Sequence, residues 1–270
     1  MAAGKSIRMK SIFRDDGRAV VVAIDHGGIA GPMEGIEDPS EVLKQCMAGG
    51  ADSILTTRGF VKATEGIWER NTSLILRLTG GFTVLGGKFE EEMISSVETA
   101  LMYNASGVAV TVKFGHEREG GFIKQASFIA DACERWGMPL MIEAMAKGES
   151  VKAANDPEGI RIASRAAQEI GADMIKTYYT GDKKSFERVV SGCPVPVLIL
   201  GGRKSKDTGV IIGDIYDAID AGAAGVAIGR NIWQGGNTAK MVKAVSGIVH
   251  EGWNSGEALE FIKESLEEEN

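Results

Sequence analysis

Short apolar runs alternate with longer amphipathic stretches along the whole chain. Runs at 19–24, 53–57, 73–78, 107–112, 139–142, 172–177, 196–200 and 225–228 have the length and side-chain content of strands. Most are apolar almost without interruption, the pattern of parallel strands covered on both faces. The stretches between them carry helical spacing. The pattern predicts helices from 38 or 40 to about 48, and over about 90–103, 122–135, 156–169, 184–190, 211–221, 239–250 and 256–267. Asp38 or Ser40 can cap the first of these, and Gly49-Gly50 can stop it. Asp156-Pro157 puts a cap and a first-turn proline at the start of another.

Three junctions between a helix and the next strand read alike: Gly49-Gly50-Ala51-Asp52, Gly171-Ala172-Asp173 and Gly222-Ala223-Ala224-Gly225. Each is a glycine helix stop followed at once by a strand. The recurring unit is βα with no fixed sequence period, which argues against a solenoid. Eight such units predict a (β/α)8 TIM barrel, an α/β fold in a single domain over 1–270, with 1–18 and 251–270 as peripheral segments. A doubly wound open sheet is the competing architecture.

Composition sharpens this picture in a few places. The chain has 270 residues, close to the roughly 250 of one such barrel. It holds 36 Gly but 6 Pro, and the glycines flank the apolar runs, where the chain turns tightly or approaches a ligand. A net charge of −7 disfavours nonspecific nucleic-acid binding. No apolar run approaches membrane-spanning length, and 1–18 lacks the apolar stretch of a signal peptide. Cys46, Cys133 and Cys193 are scattered, giving neither a disulfide framework nor metal-ligand spacing. A cytoplasmic protein without a metal is the expectation.

In a barrel, chemistry sits where strands end, on the C-terminal face. Lys176 ends the sixth run and shares a face with Met174. Desolvation there lowers a lysine pKa, and the neutral amine can attack a ketone to form a Schiff base. The alternative is a structural ion pair. Asp25 ends the first run and is placed to move protons, or to cap a turn. Strand alternation directs the adjacent His26 outside the mouth. Gly201 and Gly202, in Gly201-Gly202-Arg203-Lys204-Ser205, follow the seventh run; Gly229 and Arg230 follow the eighth. Such glycine loops let backbone N–H groups close on phosphate oxygens, Arg230 adds charge, and a short helix starting near Arg230 would aim its N-terminus at the anion. Two tight turns with surface cations would read the same way. Glu143 and Met145 follow the fifth run on one face. Glu143 can serve as acid or base beside Lys176, or form a salt bridge with Lys176, Arg77 or Lys113. Arg58 ends the second run; a substrate anion or an internal carboxylate can be its partner, and the internal carboxylate is the one expected. His116-Glu117-Arg118-Glu119 opens a charged loop able to line the mouth, and 264–269 reads as a solvated acidic tail.

Taken together, the segments Ala23-Ile24-Asp25-His26-Gly27, Thr57-Arg58-Gly59, Trp136-Gly137-Met138-Pro139-Leu140, Gly171 to Asp182 around Lys176, Leu200-Gly201-Gly202 and Ala227-Ile228-Gly229-Arg230-Asn231-Ile232-Trp233-Gln234 resemble the archaeal-type class I aldolases, the DhnA or DeoC/LacD-like family. The resemblance runs from about 11 to 250. It implies that Lys176 forms the Schiff base, that Asp25 handles protons, and that Gly201, Gly202, Gly229 and Arg230 form a phosphate cradle. It also implies a small phosphorylated carbonyl substrate, no cofactor, and a homo-oligomer, with a ring-shaped decamer as one form. Members of the family cleave fructose 1,6-bisphosphate or make a dideoxy-amino-heptulosonate; an LsrF-type member is a coenzyme A thiolase acting on 3-hydroxy-2,4-pentanedione 5-phosphate. The first two kinds carry Tyr-Pro-Arg-Gly after the fifth strand, with the Tyr as an acid. This chain has Met145-Ala146-Lys147-Gly148 there. The thiolase also lacks that Tyr and shares the Lys176-Thr177-Tyr178-Tyr179 and Gly192-Cys193-Pro194-Val195-Pro196 segments. Three functions follow as expectations: an aldolase with dihydroxyacetone phosphate as the shared fragment, the thiolase with coenzyme A as co-substrate, and a noncatalytic sugar-phosphate sensor.

Overall fold

A computed structural model describes residues 3–86, 90–149, 151–202, 204–205 and 207–267. In chain order the first elements are α1 (Ala3–Ile12), β1 (Ala19–Ala23), α2 (Gly27–Ala30), α3 (Pro39–Ala48), β2 (Ser53–Thr56), α4 (Arg58–Ala63) and β3 (Ser73–Arg77). A small hairpin, β4 (Thr79–Gly80) and β5 (Glu92–Met93), precedes α5 (Val97–Met102). Then come β6 (Gly107–Phe114), α6 (Glu119–Trp136), β7 (Leu140–Ala146), α7 (Pro157–Ile170), β8 (Met174–Tyr178), α8 (Lys183–Ser191) and β9 (Val197–Leu200). The chain continues through α9 (Thr208–Asp220), β10 (Gly225–Ile228), α10 (Arg230–Trp233), α11 (Thr238–His250) and α12 (Ser255–Glu267).

Eight strands close in the order β1-β10-β9-β8-β7-β6-β3-β2, all parallel. Pairing of β1 with both β10 and β2 removes every sheet edge and excludes the open doubly wound sheet. Alternation along the strands sorts side chains into two cores. Val20, Val22, Ile54, Leu76, Val110, Ile142, Ile175 and Ile199 face the helices. Ala19, Val21, Ala23, Leu55, Ile75, Ala109, Met141, Met174, Leu198 and Ala227 fill the barrel interior. Ile12 and Phe13, at the end of α1, pack into the floor of that interior. The interior therefore starts apolar at the N-terminal end. One inward step further up, it turns charged.

The glycine–aspartate junctions have a physical explanation. Gly50, Gly171 and Gly222 all adopt positive φ (87°, 115° and 95°), where a side chain is strained. The aspartate that follows reaches sideways to the neighbouring strand: Asp52 Oδ2 accepts from Val20 N at 2.6 Å, and Asp173 Oδ2 from Leu140 N at 2.8 Å. Each satisfies a backbone donor at the start of a strand that has no ladder partner there.

The N-terminal segment is more than a peripheral extension. Lys5 on α1 is buried, with Nζ bonded to Asp173 and Glu134, so the helix is tied across the bottom of the barrel. The predicted helix at 90–103 is shorter than the pattern suggested. Residues 92–93 pair with 79–80, and Ser96 caps α5 by accepting from Thr99 N. The fourth and fifth strands run two and four residues longer than the apolar pattern shows. Their upper ends carry Lys113 and Glu143, polar side chains that break an apolar count but fit the charged upper interior.

Candidate active site

Lys176, Glu143, Arg77 and Thr111 are inward-pointing residues of β8, β7, β3 and β6, one level above the apolar layer. Lys176, Arg77 and Thr111 are almost fully buried. Lys176 Nζ lies 3.0 Å from Glu143 Oε1. The other oxygen of Glu143 accepts from Arg77 Nη1 at 2.9 Å and from Thr111 Oγ1 at 2.7 Å. Arg77 Nη1 also faces Asp25 Oδ2 at 3.7 Å, Nη2 bonds to Thr111, and Nε donates to the Thr79 carbonyl at 3.1 Å. Two readings of Glu143 thus coincide: it pairs with Lys176 and with Arg77 at once.

Burial by itself raises the carboxyl of Glu143. The positive charges of Lys176 and Arg77 outweigh it and bring the group down to about 2. Burial likewise raises Asp25, yet contact with His26 and the charges of Arg77 and Lys176 hold it far below the usual carboxylate range. Burial lowers Arg77, but Glu143, Asp25 and Glu91 together raise it further. Both candidate carboxylates are therefore ionised and matched by cations in a site shielded from water.

Three residues of this cluster are not singled out by the apolar pattern as site residues: Arg77, read there only as a salt-bridge partner, Thr111 and Glu91. Glu91 precedes β5, is 4% exposed, and faces Arg77 Nη2 at 3.9 Å and Lys113 Nζ at 3.8 Å. Burial raises its carboxyl, and the two cations offset part of that. Its place depends on a hairpin whose partners are twelve residues apart, which no local spacing reveals.

The cluster opens onto a cavity of about 170 Å³. Asp25, Arg77, Glu143 and Lys176 line it together with Gly201, Gly202, Gly229 and Arg230. All seven candidate residues from the sequence therefore meet at one cavity. Gly202 has φ 63°. At Gly229 an added Cβ would stand 2.6 Å from the Ala23 carbonyl oxygen and 2.9 Å from the His26 ring, so only glycine fits. Arg230 Nη2 donates to the Gly202 carbonyl at 2.9 Å, while its buried Nε has no hydrogen-bond partner. Asn231 ties the two loops together, donating to the Gly201 carbonyl at 2.6 Å and accepting from Ser205 N at 2.8 Å. An orphaned guanidinium donor above two glycine loops suits an anion. The helix after Gly229, α10, spans four residues, so its dipole adds little and the backbone and Arg230 supply the charge complement.

Several expectations change. His26 lines the cavity and does not point away from it. β1 ends at Ala23, so strand alternation no longer governs residue 26, which takes helical dihedrals at the start of α2. His26 Nδ1 sits 3.3 Å from Asp25 Oδ1, off hydrogen-bond alignment, and its ring packs edge-on against Trp233. Glu143 and Met145 lie within β7, not after it. Arg58 begins α4, is exposed, and has no ion pair among the described residues, so the internal carboxylate expected for it is absent there. The 116–119 loop does not line the cavity; Arg118 binds Glu90 and Glu92 and pins the hairpin. Arg203 lies outside the described residues, as do residues 268 and 269 and the side chains of 265–267 in the acidic tail.

Elsewhere, a wider depression of about 550 Å³ at the N-terminal mouth is lined by Arg14, Asp52, Glu69 and Arg70 and contains none of the candidate residues. All three cysteines are buried, and burial pushes the Cys46 thiol up to about 12. Among the described residues no three His, Cys, Asp or Glu side chains form a metal-binding group. No helix among them is long and apolar enough to cross a membrane.

The family model of the DeoC/LacD family aldolases matches residues 19–235. The chain is 33% identical to an uncharacterised aldolase of Saccharolobus solfataricus, over 96% of this chain and 99% of that one. It is 34% identical to the 3-hydroxy-5-phosphonooxypentane-2,4-dione thiolase of an Enterobacter species, over 98% of this chain and 88% of the relative. Among solved structures, it is similar to an archaeal fructose-1,6-bisphosphate aldolase whose catalytic Lys is covalently bound to the carbinolamine intermediate of the substrate. There the TM-score is 0.82 at 30% identity, covering 91% of this chain and 99% of that one.

Proposed function

The chain belongs to the DeoC/LacD family of aldolases, a class I, Schiff-base family of enzymes, and from that premise we propose that Lys176 forms a Schiff base with a phosphorylated ketose, with dihydroxyacetone phosphate as the fragment retained. The observation that carries the reading is the meeting, at one cavity, of the Lys176–Glu143–Arg77–Asp25 cluster and the Gly201, Gly202, Gly229 and Arg230 loops. The noncatalytic sensor does not fit an enzyme family and is dropped.

The steps follow from the geometry. Backbone N–H groups of the glycine loops and Arg230 hold the phosphate and aim the substrate carbonyl at Lys176. Attack requires the neutral amine, so the ammonium proton passes to a neighbour; Glu143 Oε1 is 3.0 Å away. Lys176 is also the largest charge holding Glu143 acidic, so loss of that charge makes Glu143 a better base as the proton moves. The amine nitrogen bonds to the carbonyl carbon, one of its N–H protons moves to the oxygen, and the resulting hydroxyl leaves as water on taking the proton that Glu143 received from Lys176. The resulting iminium draws in the electron pair of the bond between the α and β carbons as the β-hydroxyl gives its proton to Asp25 and departs as an aldehyde; the α carbon of the enamine takes that proton back, and water then releases the lysine. Condensation runs the same steps in reverse.

The test is borohydride trapping with dihydroxyacetone phosphate, read by intact mass and peptide mapping. An adduct on Lys176 that is lost in Lys176→Met supports the reading; no adduct on that residue with phosphate binding intact overturns it. A second reading, transfer of an acyl group from a phosphorylated diketone to coenzyme A, draws on the thiolase relative and on Met145, which lines the cavity wall where an acid is expected. Coenzyme A-dependent product formation from the diketone would favour it. A cytoplasmic homo-oligomer is part of the same proposal and rests on the family resemblance.

A further inference from the structure

We propose that Glu91 selects a hydroxylated second fragment: its uncommitted Oε2 accepts the hydroxyl of a small hydroxyaldehyde held beside Asp25 and Arg77. This rests on the aldolase reading and adds the recognition of its second fragment.

Glu91 Oε2 is buried and has no hydrogen-bond partner. Arg77 Nη2 stands 3.9 Å from it and Lys113 Nζ stands 3.8 Å from Oε1, close enough to offset the charge of the carboxylate but beyond hydrogen-bond reach. Buried carboxylate oxygens are rarely left this way, because a buried acceptor without a donor is costly. The same residue lines a second, small cavity of about 30 Å³ with Thr57, Thr79 and Phe82, and this cavity shares Asp25, Ile29 and Arg77 with the larger one. The two spaces are thus neighbours across the Asp25–Arg77 pair. None of Gly201, Gly202, Gly229 and Arg230 lines the smaller cavity, so a fragment extending from Lys176 away from the phosphate arrives here.

Size and charge then specify the group. At about 30 Å³ the cavity has room for a water or a hydroxyl. A carboxylate facing a second phosphate would repel it. A carboxylate oxygen accepts only, so the group it recognises must donate. A hydroxyl meets all three conditions. A site that binds a substrate hydroxyl in this way rejects the analogue without it, because the buried acceptor is again left without a donor.

The experiment compares kcat/KM for condensation of dihydroxyacetone phosphate with glycolaldehyde and with acetaldehyde, which differ by one hydroxyl. The wild type should prefer glycolaldehyde. Glu91→Met, which removes the acceptor at similar bulk, should lower that ratio by about 10-fold or more, and Glu91→Gln, which retains a neutral acceptor, by about 3-fold. The ratio is taken on one enzyme sample, so partial unfolding of a variant cancels; if Glu91→Met does not fold, the Gln variant decides. A wild type without preference, or a ratio unchanged in the folded variants, overturns the proposal. Borohydride trapping on Lys176 separates the two failures: an adduct with an unchanged ratio sinks the Glu91 assignment alone, whereas no adduct sinks the aldolase reading and this inference with it.

Discussion

Lys176 Nζ lies 3.0 Å from one oxygen of Glu143, and Arg77 Nη1 lies 2.9 Å from the other. The carboxylate is shared between a cation that must lose its charge to react and one that never does. Glu143→Gln keeps the shape and the bond from Thr111 but removes the base. Borohydride trapping on Lys176 should slow by about 100-fold, in the range of a lost general base. Glu143→Ala should also destabilise the fold by about 3 kcal/mol, since it leaves buried Lys176 without its ion-pair partner and Arg77 with only the more distant Asp25 and Glu91. A trapping rate in Glu143→Gln within twofold of the wild type would show that the proton goes elsewhere.

Arg230 and Gly229 test the phosphate cradle. Arg230→Gln should weaken dihydroxyacetone phosphate by roughly 30-fold, as expected for a charge-assisted contact, and leave trapping of unphosphorylated dihydroxyacetone nearly unchanged. Gly229→Ala should abolish activity with both, because its Cβ would meet the Ala23 carbonyl and the His26 ring. Equal losses for the two ketones in Arg230→Gln would mean that the arginine is structural.

Met145 points into the cavity from β7, two residues after Glu143. If the absent phenol is what limits cleavage of fructose 1,6-bisphosphate, Met145→Tyr should raise that activity by about 100-fold. No rise at all would place the limit in another residue.

A pH-sensitive clasp lies at the opposite end of the barrel. His250, at the end of α11, bonds to Asp52 at 2.9 Å and to Asp16 at 2.7 Å, with Arg14 also on Asp52 and Arg18 on the Val249 carbonyl. Burial lowers the imidazole, and the two aspartates more than offset it, so its folded pKa is raised. A raised histidine gives stability that is full below about 6.5, its unfolded value, and is lost as pH rises through the folded value. Thermal stability should therefore fall as pH rises above about 6.5 and through the raised folded value, and His250→Gln should flatten that fall. An unchanged slope in the variant would remove His250 as its source.

The barrel and its cradle were legible because their signals are local. An apolar run, a glycine stop and a strand-end lysine each fit within about ten residues, and Lys176, Asp25, Gly201, Gly202, Gly229 and Arg230 all reached the cavity from such signals. Glu143 was legible as a candidate but not as a shared ion, because its partners come from β3, β6 and β8. His26 was misplaced by one assumption, that the strand continues past Ala23. Arg77 as the hub, and Glu91 altogether, were hidden for a different reason. Their roles exist only once the barrel is closed and the hairpin folded across its rim.

Gly229 leaves no gap between the loop proposed to hold phosphate and the Ala23–His26 turn that carries Asp25, and Trp233 Nε1 bonds to the same Ala23 carbonyl at 3.0 Å. The anchor and the proton carrier are therefore a single mechanical part. A ligand that fails to seat its tail misaligns the acid as well as losing grip, so truncating the substrate should depress turnover along with affinity. The same welding narrows the routes open to divergence: new specificity is easier to gain at the hairpin rim, where Glu91 stands, than at the tail end, where every change is felt at the reacting carbon.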